Sequence, residues 1–125
     1  MSQAAHVLYI DDDEGLRLLA ERKLRRLGFE VTTAGDGREG VELARTGHFD
    51  VVAVDHYMPG QDGLETLGAL QALDHVPPVV YVTGSEESRV AVAALKAGAS
   101  DYVVKSIGDD FFDLLSTALS QALAR

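Results

Sequence analysis

Five short apolar runs punctuate the chain, each followed by a stretch whose apolar residues recur at helical spacing. His6-Val7-Leu8-Tyr9-Ile10, Val51-Val52-Ala53-Val54 and Val79-Val80-Tyr81-Val82 have almost no polar alternation. Such runs suit strands buried on both faces of a parallel sheet. Phe29 to Ala34 alternates and reads as a short strand near an edge, and Tyr102-Val103-Val104 is a fifth strand. Leu16, Leu19, Ala20, Lys23, Leu24 and Leu27 predict a helix that Gly28 stops. Asp36-Gly37-Arg38-Glu39 and Asp62-Gly63-Leu64-Glu65 have capping-box spacing. They open predicted helices through Val41 and Ala44 to Gly47, and through Leu67, Leu70 and Leu73. Ser85 is placed to cap a helix of Val90, Ala91, Ala94, Leu95 and Ala97, stopped by Gly98. Asp109 and Asp110 suit the start of a last helix bearing Phe111, Phe112, Leu115, Ala118, Leu119 and Ala122.

Strict strand–helix alternation implies an α/β fold: one doubly wound, flavodoxin-like (βα)5 domain over residues 1–125. Right-handed crossovers and five parallel strands lead to the order 2-1-3-4-5, with the switch point between strands 1 and 3. The 46% hydrophobic and 25% charged composition is that of a globular chain. A net charge of −9 disfavours direct contact with nucleic acid. No apolar run approaches the roughly 18 residues of a membrane span. The absence of cysteine agrees with a cytoplasmic location. Arg17, Arg22, Lys23, Arg25 and Arg26 form a basic cluster on the first helix, read as a solvated face or one that meets an acidic partner.

The polar residues that end the strands change the picture from fold to chemistry. Asp11 and Asp12 follow strand 1, Asp55 ends strand 3, Thr83 follows strand 4 and Lys105 follows strand 5. In the order 2-1-3-4-5 these groups converge on one sheet edge beside the switch point. Three neighbouring carboxylates repel, and an oxygen-rich, sulfur-free cluster suits Mg2+ or Mn2+. One carboxylate is left as a nucleophile, with a lysine and a hydroxyl placed to stabilise a phosphoryl group. Asp13 and Glu14 read as first-turn acids, and Asp62 as a helix cap rather than a ligand.

Asp11-Asp12 after an apolar strand, Asp55-x-x-Met58-Pro59-Gly60-x-Asp62-Gly63, Thr83-Gly84, Ala97-Gly98-Ala99-x-Asp101-Tyr102 and Lys105 together resemble a response-regulator receiver domain of the chemotaxis-regulator type. The resemblance covers essentially the whole chain, with the motifs in order and at matching spacing. It implies a switch, not an enzyme, in two-component signalling. Asp55 would take a phosphoryl group from the phosphohistidine of a sensor histidine kinase or phosphotransfer protein. Asp12 would ligate Mg2+ directly, Asp11 largely through water, and the Tyr57 carbonyl would complete the protein ligands. Thr83 and Tyr102 would be the switch pair, and Lys105 would hold a phosphoryl oxygen. Tyr57, two past the aspartate, would slow hydrolysis of the acyl phosphate. The face of the fourth helix, fifth strand and fifth helix would serve an effector, an output domain or a homodimer, with Ala91 and Leu95 directed there.

One position departs from the family: Ser106 stands where a proline usually follows the lysine. A cis bond before a non-proline residue costs about 2.5–4 kcal/mol, so a trans Lys105–Ser106 peptide and an altered loop are expected. A haloacid-dehalogenase-like phosphatase would need a second acid at position 57, where Tyr57 stands. A flavodoxin-like carrier would need a Ser/Thr/Gly-rich phosphate loop after strand 1, where Asp11-Asp12-Asp13-Glu14 stands. The alternative that keeps the fold without the chemistry is a pseudo-receiver acting only as an interaction domain. Asp12, Asp55, Thr83 and Lys105 weigh against it.

Overall fold

The computed structural model describes residues 4–84, 88–105 and 110–124. Its strands are β1 (His6–Ile10), β2 (Glu30–Ala34), β3 (Val51–Asp55), β4 (Val79–Thr83) and β5 (Asp101–Val104). The helices are α1 (Glu14–Arg26), α2 (Gly37–Thr46), α3 (Gly63–Gln71), α4 (Ser88–Lys96) and α5 (Asp110–Leu123). All strand pairs are parallel and the order is β2-β1-β3-β4-β5. This is the doubly wound arrangement expected from the alternation.

β3 and β4 are buried along their whole length, because both faces of a central parallel strand are covered by helices. Alternate residues therefore supply two cores. Val7, Tyr9, Val51, Ala53, Val80, Val82 and Val103 pack with α1 and α5 through Ala20, Leu24, Phe111, Leu115 and Leu119. Leu8, Ile10, Val52, Val54, Val79 and Tyr81 pack on the opposite face with Leu67, Leu70 and Ala94. Each fully buried Leu or Phe contributes about 1.5–3 kcal/mol. At Gly40 of α2 an added Cβ would lie 2.3 Å from Ile10 Cδ1, so the missing side chain lets that helix close on β1.

The predicted helix ends hold, with differences in detail. Gly28 and Gly98 take positive φ, 99° and 110°, where a side chain would be strained. Asp62 forms a full capping box with Glu65. At α2 only half of the box forms: Asp36 accepts from the Glu39 amide, but the Glu39 carboxylate turns back to the Gly35 amide instead. Ser85, Ser106, Asp109 and the trans Lys105–Ser106 expectation lie outside the described residues. The basic cluster of α1 is more than a solvated face. Arg17 donates to the Asp11 carbonyl, Arg25 pairs with Glu21, and Lys23 Nζ lies 5.8 Å from the Phe112 ring centroid. Ala91 is also placed differently: at 4% exposure it faces the core, while Val92 and Leu95 are the open apolar residues of α4.

Candidate functional site

Register decides what meets at the carboxyl edge of the sheet. Ile10 pairs with Val54, so the next residues, Asp11 and Asp55, leave adjacent strands side by side. The period of two puts Asp11 on the face of Tyr9, Asp55 on that of Ala53, and Lys105 on that of Val103. Those three apolar residues belong to one core. The sheet thus brings a lysine from the end of β5 and two aspartates from central strands to one face.

Lys105 Nζ donates to Asp11 Oδ2 at 3.0 Å and to Asp55 Oδ1 at 3.1 Å. Asp11 is wholly buried and Asp55 is 5% exposed. Asp11 is also held by the Tyr9 hydroxyl, which donates to Oδ2 at 3.1 Å, and by the Asp13 amide, which donates to Oδ1 at 3.0 Å. Asp13 in turn caps α1 by accepting from the Leu16 amide. Asp12 is exposed, yet it offers a carboxylate oxygen within 4.8 Å of oxygens of Asp11 and Asp55. Three carboxylates and one ammonium leave this mouth at a formal charge of −2 (three negative, one positive), which one divalent cation cancels. The all-oxygen donor set fits a hard cation.

The electrostatics follow from this crowding. Burial, and then the charge of Asp11, push the Asp55 carboxyl up to about 6 against the opposing pull of Lys105. Burial alone would lower the Lys105 ammonium, but the charges and hydrogen bonds of Asp55 and Asp11 outweigh it and hold the group above the ordinary lysine value. Burial, reinforced by Asp11, raises the Tyr9 hydroxyl far out of its usual range, so Tyr9 keeps the proton that it donates to Asp11.

Thr83 ends β4 with 2% exposure, and its carbonyl accepts from the Lys105 amide at 2.7 Å. Tyr102 pairs in register with Tyr81 and is 42% exposed. Tyr57 stands at the mouth with an exposed ring, set edge-on to His56 at 4.9 Å between centroids. Asp11, Asp12, Asp55 and Lys105 are thus brought together, whereas Tyr102 stands apart from them on the surface. Sequence reasoning missed Tyr9 and Arg17. Tyr9 carries a usable signal, since a strand residue two before Asp11 shares its face. Arg17 carries none, because its reach to the Asp11 carbonyl depends on how α1 packs.

Comparison with known proteins agrees with this fold. The response regulator receiver domain family matches residues 7–116. The chain is 37% identical over 118 residues to the transcriptional regulatory protein ZraR of Escherichia coli (strain K12), a match covering 94% of this chain and 26% of that protein. It therefore spans about a quarter of that regulator's length. Among solved structures, the chemotaxis protein CheY4 of Vibrio cholerae superposes with a TM-score of 0.84 at 30% identity, covering 96% of this chain and 99% of that one. TrrA of Thermotoga maritima, in complex with Mg(2+)-BeF, gives 0.83 at 30% identity, covering 95% and 99%.

Proposed function

We propose, for a chain that belongs to the response regulator receiver domain family, that Asp55 is the phosphoacceptor of a phosphorelay switch. The observation that carries this reading is the Lys105 ammonium bridging Asp11 and Asp55 at 3.0 and 3.1 Å beside the exposed Asp12. In the transfer, the N–P bond of a partner's phosphohistidine breaks as an O–P bond forms to the Asp55 carboxylate. The electron pair of the breaking bond stays on the imidazole, which takes a proton. The partner is a sensor histidine kinase or a histidine phosphotransfer protein. Lys105 exchanges its Asp55 oxygen for a phosphoryl oxygen while keeping Asp11, and Thr83 donates a hydrogen bond to the phosphoryl group.

Asp12, Asp55 and the Tyr57 carbonyl would hold Mg2+, with Asp11 acting largely through water. The saturation of Asp11 supports that division, since Tyr9, Lys105 and the Asp13 amide already occupy it. A bound Mg2+ supplies positive charge against the phosphoryl oxygens, and Mn2+ matches the same donors. The Mg(2+)-BeF complex of TrrA supports the assignment by likeness.

Thr83 and Tyr102 form the switch pair: Thr83 moves toward the phosphoryl group and Tyr102 turns inward from its exposed position. The readout face is that of α4, β5 and α5, where Val92, Leu95, Tyr102, Val104 and Leu114 are exposed. It serves an effector, an output domain or a second copy of the chain. Residues 1–125 are read as one receiver unit that acts as a switch in the cytoplasm rather than as an enzyme. Among the described residues no helix is long and apolar enough to cross a membrane. No observation favours the pseudo-receiver alternative.

Treatment with acetyl phosphate and Mg2+, followed by intact-mass measurement, tests the reading. One added phosphate is expected, absent in Asp55→Ala. Phosphate that persists in that variant would move the acceptor elsewhere.

A further inference from the structure

The loop that follows Asp55 is held from a direction the phosphoacceptor chemistry does not use. His56 Nδ1 and the Tyr81 hydroxyl share a hydrogen bond of 2.6 Å. Tyr81 is a wholly buried residue of β4, two positions before Thr83 and so on the same face of the strand. The His56 and Tyr81 rings also pack at 5.8 Å between centroids, and the Tyr57 ring meets that of His56 edge-on at 4.9 Å. Backbone bonds tie both ends of the loop: the His56 amide donates to the Val82 carbonyl, and the Gly63 amide donates to the His56 carbonyl, each at 3.0 Å. Gly63 is what makes room for this arrangement. A Cβ there would stand 2.4 Å from the Tyr81 hydroxyl and 2.6 Å from the Asp55 carbonyl oxygen.

We infer that His56 and Tyr81 are positioning residues that hold the loop after Asp55, and with it the Tyr57 carbonyl, in the geometry a divalent cation requires. The inference rests on the metal reading given above. A carboxylate ligand can turn about its own side-chain bonds to meet a cation. A backbone carbonyl cannot, and its contribution depends on how firmly its loop is fixed before binding. The imidazole is adjacent to the Tyr57 peptide, and its Nδ1 is anchored to a side chain that cannot move without disturbing β4. The same anchor runs to the strand that ends in Thr83, so the cation loop and the switch hydroxyl share one mechanical support.

The test is Mg2+ affinity, measured by isothermal titration calorimetry on the unphosphorylated protein. Tyr81→Phe removes one oxygen and keeps the ring, and His56→Leu removes the imidazole. Each is expected to weaken Mg2+ binding about tenfold, the lower end of the loss seen when outer-sphere supports are removed. The double variant should be no more than about twofold weaker than the worse single one, because both break the same bond. In His56→Asn the amide falls where Nδ1 lies, and affinity should return to within about threefold of the parent. Tyr81→Phe binding Mg2+ like the parent would overturn the inference, as would single effects that multiply in the double variant. If the parent binds Mg2+ and Asp12→Asn does not, while Tyr81→Phe binds normally, the metal site stands and only this inference fails. If the parent binds no Mg2+, the metal site itself fails and the inference with it.

Discussion

Asp55→Asn should stabilise the metal-free protein although it removes the residue on which the proposed chemistry depends. The reason lies in the burial of Asp55 and the crowding of carboxylates at the mouth of the sheet. Carboxylate oxygens of Asp11, Asp12 and Asp55 fall within 4.8 Å of one another. At an effective dielectric of about 20, two unit charges at that separation repel by about 3.5 kcal/mol. Burial of the carboxylate is the largest cause and this repulsion adds to it, Lys105 offsets part of both, and the balance appears in the Asp55 carboxyl, raised from 3.8 to about 6. A shift of roughly two units corresponds to about 3 kcal/mol, the cost of keeping Asp55 ionised in the fold at pH 7. Asparagine keeps the shape and still accepts from Lys105, so a gain of about 2–3 kcal/mol is expected. For a chain of this length that raises Tm by roughly 6–12 °C.

The pH dependence gives the sharper check. The folded-state value lies above the unfolded one, so this group's contribution to stability is full below about pH 3.8 and is lost as pH rises through about 6. The advantage of Asp55→Asn should therefore be complete at pH 7 and nearly gone by about pH 4. Thermal melting followed by circular dichroism in EDTA, at pH 7 and pH 4, reads both quantities. A variant that melts at or below the parent at pH 7, or an advantage unchanged at pH 4, would refute the argument that burial and repulsion make the ionised Asp55 costly.

Three further outcomes follow from the same structure. Mg2+ at ten times its dissociation constant should stabilise the parent by about 1.4 kcal/mol, an effect Asp12→Asn should weaken; equal shifts in the two proteins would count against Asp12 as a ligand. Lys105→Met leaves Asp11 and Asp55 facing each other without the bridging ammonium and should cost about 2–3 kcal/mol, discounted because the lysine is 26% exposed; urea unfolding measures it, and a neutral result would show that the pair is relaxed without Lys105. Gly40→Ala should destabilise by about 1–2 kcal/mol, the helix-propensity gain being outweighed by the clash with Ile10; a lower urea midpoint with unchanged slope is the expected signature.

The fold and most of the site were legible in the chain because their signals are local. Uninterrupted apolar runs announce strands buried on both faces, and capping residues and terminal glycines mark the helices between them. Once the strand order follows from topology, the residues that end each strand must share an edge. Asp11, Asp12, Asp55, Thr83 and Lys105 could be placed there without coordinates. The family resemblance added roles that spacing alone does not supply.

What only the tertiary structure decided are quantities that depend on several elements at once. Lys105 is 94 positions from Asp11, and its division between Asp11 and Asp55 is a matter of ångströms set by strand register and twist. The buried state of Asp11 and the exposed state of Asp12 are a one-residue difference that the sequence Asp-Asp cannot express. Ala91 and Leu95 both read as candidates for the partner face, yet helix rotation against the sheet buries the first and exposes the second. The bond between His56 and Tyr81 joins residues 25 apart, each unremarkable in its own strand or loop. Backbone periodicity is written residue by residue. Charge balance, burial and side-chain partners are sums over neighbours that exist only once the sheet has closed.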